Sequence, residues 1–246
     1  MKLVLLGTTG YHPNDRRQTA CFMLPELGVV LDAGTGFYRV RDYLQTDTLD
    51  IFLSHGHLDH VVGLTYLLDV LHERPMRRVT VHGDEHKLAM IEQHLLSDVL
   101  FPVKLPCEFR PLAGPLELPG GGTLTYFPLA HPGGSLGFRL DWPGHSLAYV
   151  TDTTATDEPL YDEHIRGVDL LLHECNFKDE FSAHAKLTGH SCITAVAKVA
   201  KRCGVQRLVL VHVNPLDATD DPVDLPTARS IFPNSELSQD RQEIEF

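Results

Sequence analysis

The chain has 246 residues, 43% hydrophobic and 22% charged, with 33 acidic against 21 basic side chains and a formal net charge of −12. That length and apolar content suit one well-buried domain, since layered α/β folds reach roughly 250 residues as a single unit. The acidity argues against a general binder of extended nucleic acid, which needs Lys and Arg to neutralise phosphates over a broad surface, but leaves room for a local positive site.

The N-terminus, Met1-Lys2-Leu3-Val4-Leu5-Leu6-Gly7, holds an apolar run of four residues, shorter than a signal-peptide core of about 7 to 15. In chain order, apolar and β-branched runs bounded by Gly, Pro, Asp or His predict strands over 3–6, 29–31, 51–53, 79–81, 124–127, 146–150, 170–172 and 208–211. Helical periodicity predicts helices over 37–44, 61–71, 85–96, 158–165 and 191–202, the last with Ile193, Val196, Ala197 and Ala200 on one face. Strands interleaved with helices place the chain in the α/β class. Segment 101–122 carries Pro102, Pro106, Pro111, Pro115 and Pro119 and ends in Gly120-Gly121-Gly122, so it is expected to be an irregular surface excursion. No repeat, low-complexity tract or composition shift marks a linker, and residues 1–246 are expected to form a single domain. The cysteines Cys21, Cys107, Cys175, Cys192 and Cys203 are scattered and never form a Cys-x-x-Cys pair. They read as reduced thiols of a cytoplasmic protein, and no run reaches the 18 or so apolar residues of a membrane span.

The 15 histidines are the oddity of the composition, because imidazole is the side chain most used for metal binding and proton transfer. The densest cluster is Ser54-His55-Gly56-His57-Leu58-Asp59-His60, between the strand over 51–53 and the helix over 61–71. A strand-to-helix turn lets these four donors face one another around a metal pair, whereas a continuous helix would turn His57 away from His55 and Asp59. A polar loop with chance histidines does not account for that density. Further donors stand where other predicted strands end: His131 after the 123–129 run, Asp152 after 146–150 and His212 after 208–211. Singly each reads as a cap or a solvent-facing group. Together with the cluster they make four strand ends that each deliver a ligand.

The order Asp32, then His55, His57, Asp59 and His60, then His131, Asp152 and His212 resembles the five-motif signature of the metallo-β-lactamase-fold hydrolases. The resemblance implies a four-layer αββα sandwich and two divalent metal ions, zinc in the first place with manganese or iron as alternatives. It implies that His55, His57 and His131 hold one metal, that Asp59, His60 and His212 hold the other, and that Asp152 bridges them together with the attacking hydroxide. Asp32 stands where the family has a carboxylate that accepts a hydrogen bond from a ligating histidine, a partner that imidazole ligands nearly always need.

Within the superfamily the sequence resembles the ribonuclease Z-like phosphodiesterase branch. Gly7-Thr8, Pro13 and Arg17-Gln18-Thr19 resemble its first loop, Gly137-Phe138-Arg139-Leu140 the stretch after its third motif, Leu172-His173-Glu174-Cys175-Asn176-Phe177 its His-Glu-Ala-Thr-Phe stretch, and Gly189-His190-Ser191 its Gly-His-Ser stretch. Carried over, Glu174 orients His190, and His190 protonates the departing oxygen. The chemistry is sensible, since an alkoxide is a poor leaving group unless it receives a proton, and an imidazole held by a carboxylate can supply one near neutral pH.

The chain also departs from that branch. His131 and Asp152 lie 21 positions apart (152 − 131), too close for the long arm with which ribonuclease Z grips transfer RNA. Val213-Asn214-Pro215 stands where the branch has Arg-Tyr after its last ligand. The related phosphoribosyl cyclic phosphate phosphodiesterases lack the arm too, but their N-terminal cysteine zinc site is reduced here to Cys21. The expectation is therefore a phosphodiesterase acting on a small or single-stranded anionic ester, with homodimerisation suggested by relatives. Two divalent cations against Asp59, Asp152 and a hydroxide leave one net positive charge at the centre, which favours such a substrate. The competing readings are an acyl hydrolase of lactones or thioesters, in which Glu174 and His190 have no evident task, and a non-enzymatic metal sensor.

Overall fold

The computed structural model describes residues 1–246, and the chain divides into two compact units, Met1–Ala113 with Gln239–Glu245, and Gly114–Ser238 with Phe246. The first unit begins with strands β1 (Lys2–Gly7), β2 (Cys21–Leu24), β3 (Val29–Leu31), β4 (Thr48–Phe52), β5 (Arg78–Gly83) and β6 (Glu108–Pro111). The second holds β7 (Leu116–Leu118), β8 (Gly122–Leu129), β9 (Ser135–Trp142), β10 (His145–Val150), β11 (Leu170–Glu174), β12 (Arg207–Val211) and β13 (Ser235–Leu237), after which β14 (Gln242–Glu245) belongs to the first unit again.

The sheet of the first unit runs β14-β1-β2-β3-β4-β5-β6, antiparallel from β14 to β3 and parallel from β3 to β6. The sheet of the second runs β13-β12-β11-β10-β9-β8-β7, parallel from β13 to β10 and antiparallel from there on. Parallel neighbours need crossover connections, and in both units these are helical. In the first unit Phe37, Val40, Leu64, Leu67, Val70, Leu88 and Ile91 from the connections pack on Val4, Met23, Val30, Ile51 and Val81 of the strands. In the second, Ile193, Val196, Ala197 and Ala200 of helix Ile193–Cys203 pack with Ile165 and Ala228 on Ala148, Val150, Leu171, Leu208 and Leu210. Alternate residues such as Leu3, Leu5 and Leu31, or Leu147, Leu170 and Leu172, are buried as well, so the strands are apolar on both faces. That is why they read as unbroken apolar runs rather than as alternation.

All eight predicted strands are present, but six more are not predicted: β2, β6, β7, β9, β13 and β14. Segment 101–122 is not wholly irregular as expected. It contributes β6 and β7, each the edge strand of its sheet, and the boundary between the units falls inside it. Edge strands pair on one side only and so tolerate proline, as at Pro111. The helix expected over 61–71 is broken into Leu58–Val61, a 3-10 turn Val62–Tyr66 and Leu67–Val70. Gly63 explains the tightening, since its N–H donates to Ala33 O at 2.7 Å and an added Cβ would stand 2.2 Å from Gly34 O. Of 158–165 only Asp162–Ile165 is helical, and Ser182–Thr188 and Leu225–Ile231 are additional helices. No helix is long and apolar enough to cross a membrane.

Candidate metal centre

In the first unit the donors stand at the carboxyl ends of β3 and β4, two parallel neighbours, where crevices of open α/β sheets form. β4 ends at Phe52, Leu53 and Ser54 continue it, and His57 is the residue before helix Leu58–Val61. The strand-to-helix turn expected for the cluster is present. The His55 ring lies 4.6 Å from that of His57 and 4.2 Å from that of His60, centroid to centroid. His55 and His60 are buried, His57 is exposed, and His60 Nε2 lies 3.4 Å from Asp59 Oδ2.

Asp32 organises this group. It is fully buried, and its Oδ2 accepts from His60 Nδ1 at 2.8 Å and from the Ser54 hydroxyl at 2.8 Å, while Oδ1 accepts from Ser54 N at 2.7 Å. The Ser54 hydroxyl has one hydrogen, given to Asp32, so toward His55 Nδ1 at 3.0 Å it is an acceptor. Both His55 and His60 therefore carry their proton on Nδ1 and turn a lone pair out on Nε2. Asp32 adopts a left-handed backbone, φ 59°, a conformation that costs energy for any residue but Gly and is tolerated best by Asn and Asp. Gly34 lets the 57–60 turn close over this loop, since a Cβ there would stand 2.2 Å from Asp59 O.

In the second unit β10, β11 and β12 are adjacent and parallel, so Asp152, Glu174 and His212 emerge side by side at their carboxyl ends. β8 runs in the same direction, two places along, and delivers His131. Asp152 is buried and divides its carboxylate: Oδ2 lies 3.5 Å from His131 Nε2 and Oδ1 lies 3.2 Å from His212 Nε2. His131 Nδ1 donates to Gly189 O at 2.9 Å, which leaves its Nε2 as a lone pair. Gly189 has φ 77°, and a Cβ there would stand 2.3 Å from Pro132 Cδ, so glycine is needed to bring that carbonyl up to the imidazole. His212, like Asp32, follows a parallel strand in a left-handed conformation, φ 54°. Its carbonyl accepts from Asn176 Nδ2 at 3.0 Å.

Glu174 and His190 come together as expected. The fully buried Glu174 Oε1 accepts from His190 Nδ1, Thr153 N and Ser191 N, each at 3.1 Å. The His190 ring stacks beside His212 with centroids 5.3 Å apart, and the donor atoms of Asp152, His190 and His212 lie within 4.8 Å of one another.

Each unit by itself presents imidazole lone pairs to carboxylate oxygens, at His60 against Asp59 and at His131 against Asp152. Two acceptors facing at such distances repel unless a cation lies between them. The donor types suit a divalent metal, and a tied Nδ1 behind each such Nε2 is the support that ligating imidazoles require. Sequence reading missed Ser54, Asn176, the Gly189 carbonyl and the Tyr11 N–H, which reaches Asp59 Oδ2 at 2.6 Å. The first three sit inside or beside the motifs, and Tyr11 carries no local signal.

Comparison with known proteins gives a family model described as a beta-lactamase superfamily domain, matching residues 28–213. The ribonuclease Z of Gemmatimonas aurantiaca is 27% identical over 301 aligned residues, covering 98% of this chain and 94% of that protein. At least 55 of those positions (301 − 246) are gaps in this chain. Among solved structures, the short form of human tRNase Z gives a TM-score of 0.78 at 21% identity, covering 100% of this chain and 99% of that one. The metallo-β-lactamase fold protein YhfI from Bacillus subtilis gives 0.77 at 20% identity, with 99% of each chain covered. These likenesses establish the fold, the α/β metallo-β-lactamase fold expected from the sequence.

Proposed function

The chain belongs to the β-lactamase superfamily, and on that premise we propose that it is a metal-dependent phosphodiester hydrolase acting on a small or single-stranded anionic ester. The His and Asp donors imply divalent metal binding. In this reading His55, His57 and His131 would hold one zinc ion and Asp59, His60 and His212 a second, with Asp152 able to serve both. The division of the Asp152 carboxylate between His131 and His212 supports that sharing. The family model runs through the boundary between the two units, which supports treating residues 1–246 as one functional domain.

Bound divalent ions supply Lewis acidity toward phosphoryl oxygens and activate water at neutral pH. The chain's own groups do the rest. Asp32 holds the tautomers of His55 and His60 directly and through Ser54. His190 donates a proton from Nε2 to the leaving oxygen, and Glu174 Oε1 steadies the imidazolium through Nδ1. Glu174 is itself held by two backbone N–H groups, so the pair is positioned before substrate arrives.

The Glu174–His190 pair beside Asp152 and His212 is the observation that favours phosphodiester over thioester chemistry. Thiolates leave without a proton, so a thioester hydrolase leaves the pair idle, whereas a lactone, which opens to an alkoxide, is told from a phosphodiester by the substrate screen. The relatives named ribonuclease Z are aligned with at least 55 positions that this chain lacks, and with the net charge of −12 this supports a small substrate over folded RNA. The test is a parallel screen of metal-loaded protein on phosphodiester, phosphomonoester, thioester and lactone panels. Turnover of phosphodiesters is expected, and turnover confined to thioesters or lactones sinks the reading.

A further inference from the structure

We propose that a pocket at the amino ends of β5 and β6 is a binding site for a small organic dianion, a molecule whose doubly charged head is joined to an apolar body. The inference is independent of the reaction proposed for the metal centre.

The pocket lies wholly within the Met1–Ala113 unit and has a volume of about 670 Å³, in the middle of the roughly 300–1,000 Å³ typical of small-molecule sites. One wall is the segment leading into β5, with Arg74, Met76 and Arg77, and another the segment leading into β6, with Lys104, Leu105 and Cys107. β4, β5 and β6 run parallel. The pocket therefore stands at the opposite end of these strands from the 55–60 turn, which follows the carboxyl end of β4. The five residues of β4 alone put roughly 13 Å between the two ends. A molecule held there is separate from one reacting at the metal donors.

The chain is acidic overall, yet this lining holds four cations, Arg74, Arg77, Arg78 and Lys104, against one carboxylate, Glu108. The charge of the pocket depends on where each of these groups is committed. Glu108 accepts from Arg110, a cation outside the lining, at 2.9 Å. Arg78 is matched by Asp50, whose Oδ1 and Oδ2 accept from Nη1 at 2.5 Å and Nη2 at 2.7 Å. Arg74 instead gives Nη1 and Nη2 hydrogens to two neutral acceptors, Leu44 O and Arg41 O, each at 2.8 Å. Those carbonyls fix the guanidinium without cancelling its charge, and a fixed donor loses little entropy on binding. Arg77 meets a carboxylate only at 3.5 Å, from Asp47, with both side chains mostly exposed, a contact of little worth in water. Lys104 is exposed and pairs with no carboxylate. Burial pushes the Cys107 thiol up to about 11, so that wall stays protonated and neutral. Arg74, Arg77 and Lys104 are thus left with charge to offer, which suits a head carrying two negative charges. Leu71, Met76, Leu105 and Pro106 supply apolar walls, which an inorganic ion would leave in water and an organic body would cover.

The probes are phenylphosphonate, methylphosphonate, which keeps the head and lacks the ring, and benzyl alcohol, which keeps the ring and lacks the charge. None is an ester that the metal centre could hydrolyse. Binding to the full-length, metal-loaded protein is followed residue by residue in ¹H–¹⁵N spectra. Phenylphosphonate is expected to shift amides within 74–79 and 104–108 and to bind more weakly as salt is raised. With half of its ring buried it should bind about 4- to 12-fold tighter than methylphosphonate, and benzyl alcohol should leave these amides unmoved. Arg77→Gln and Lys104→Gln should each weaken phenylphosphonate by about 1.5- to 5-fold, and the double variant by about the product. Both positions are exposed, and a thermal melt confirms that the variants are folded. Shifts confined to the 55–60 turn, equal binding of phenylphosphonate and methylphosphonate, or an affinity untouched in the folded double variant overturns the assignment.

Discussion

Asp32→Asn isolates the role of one carboxylate that touches no substrate. The amide matches the carboxylate in volume and tolerates the left-handed backbone at φ 59°, and its oxygen can still accept the Ser54 N–H. The second position changes sign, because an NH₂ now stands where Oδ2 accepted from His60 Nδ1 and the Ser54 hydroxyl, each at 2.8 Å. The Ser54 hydroxyl must turn to accept from the amide, which sends its hydrogen toward His55 Nδ1. Both imidazoles are then driven to carry their proton on Nε2, the nitrogen meant for the metal. Loss of such a supporting partner lowers metal affinity by about 10- to 100-fold, or roughly 1.4–2.7 kcal/mol. The metal-free variant should keep its fold, because the His60 Nε2–H gains Asp59 Oδ2, 3.4 Å away, as an acceptor. Zinc titration against a chromophoric chelator measures the affinity, and ¹⁵N NMR of the imidazoles reads the tautomer. An unchanged zinc affinity, or a weakened one with both histidines still protonated on Nδ1, refutes the tautomer argument.

Three further outcomes are expected. His190→Ala should cost about 10²- to 10⁴-fold on esters with alkoxide leaving groups and far less on nitrophenyl esters, with Glu174→Gln showing the same bias; equal losses on both classes remove His190 from the acid role. Chelation should abolish activity, and restoring zinc to about 100 times its Kd should raise stability by about 2.7 kcal/mol, seen as a higher Tm; a Tm indifferent to chelator argues against a metal centre in the folded protein. Burial holds the His173 imidazole down to about 4 from an ordinary 6.5, with Nδ1–H donating to Glu174 O at 2.7 Å and Nε2 accepting from Tyr161 OH at 2.8 Å. The fold favours the neutral ring, so this contribution is complete above about pH 6.5 and is lost as pH falls toward 4, by roughly 3 kcal/mol in all. Thermal melts between pH 7 and 4 should therefore fall less steeply for His173→Gln than for the wild type, and parallel curves contradict the assignment.

Much of the candidate centre was legible because its first half is local. His55, His57, Asp59 and His60 lie within six residues on a strand-to-helix turn, and an apolar run followed by a donor marks a strand end wherever it occurs. The same locality explains what was lost. β14, with the sequence QEIE, and β13, only three residues long, carry too little apolar signal to be seen without the neighbours they pair with. The prolines of 101–122 mask two edge strands for the same reason.

The sequence by itself determined the chemical types of the donors, their places at strand ends and the family to which the chain belongs. Only the tertiary structure decided which donors become neighbours and which nitrogen of each imidazole is turned outward. Asp152, Glu174 and His212 are adjacent because β10, β11 and β12 pair in parallel register, and register depends on faces buried across the whole sheet. The tautomers of His55, His60 and His131 follow from Ser54, Asp32 and the Gly189 carbonyl. For His60 and His131 those partners lie 28 and 58 positions away along the chain, a separation at which spacing carries no information about contact.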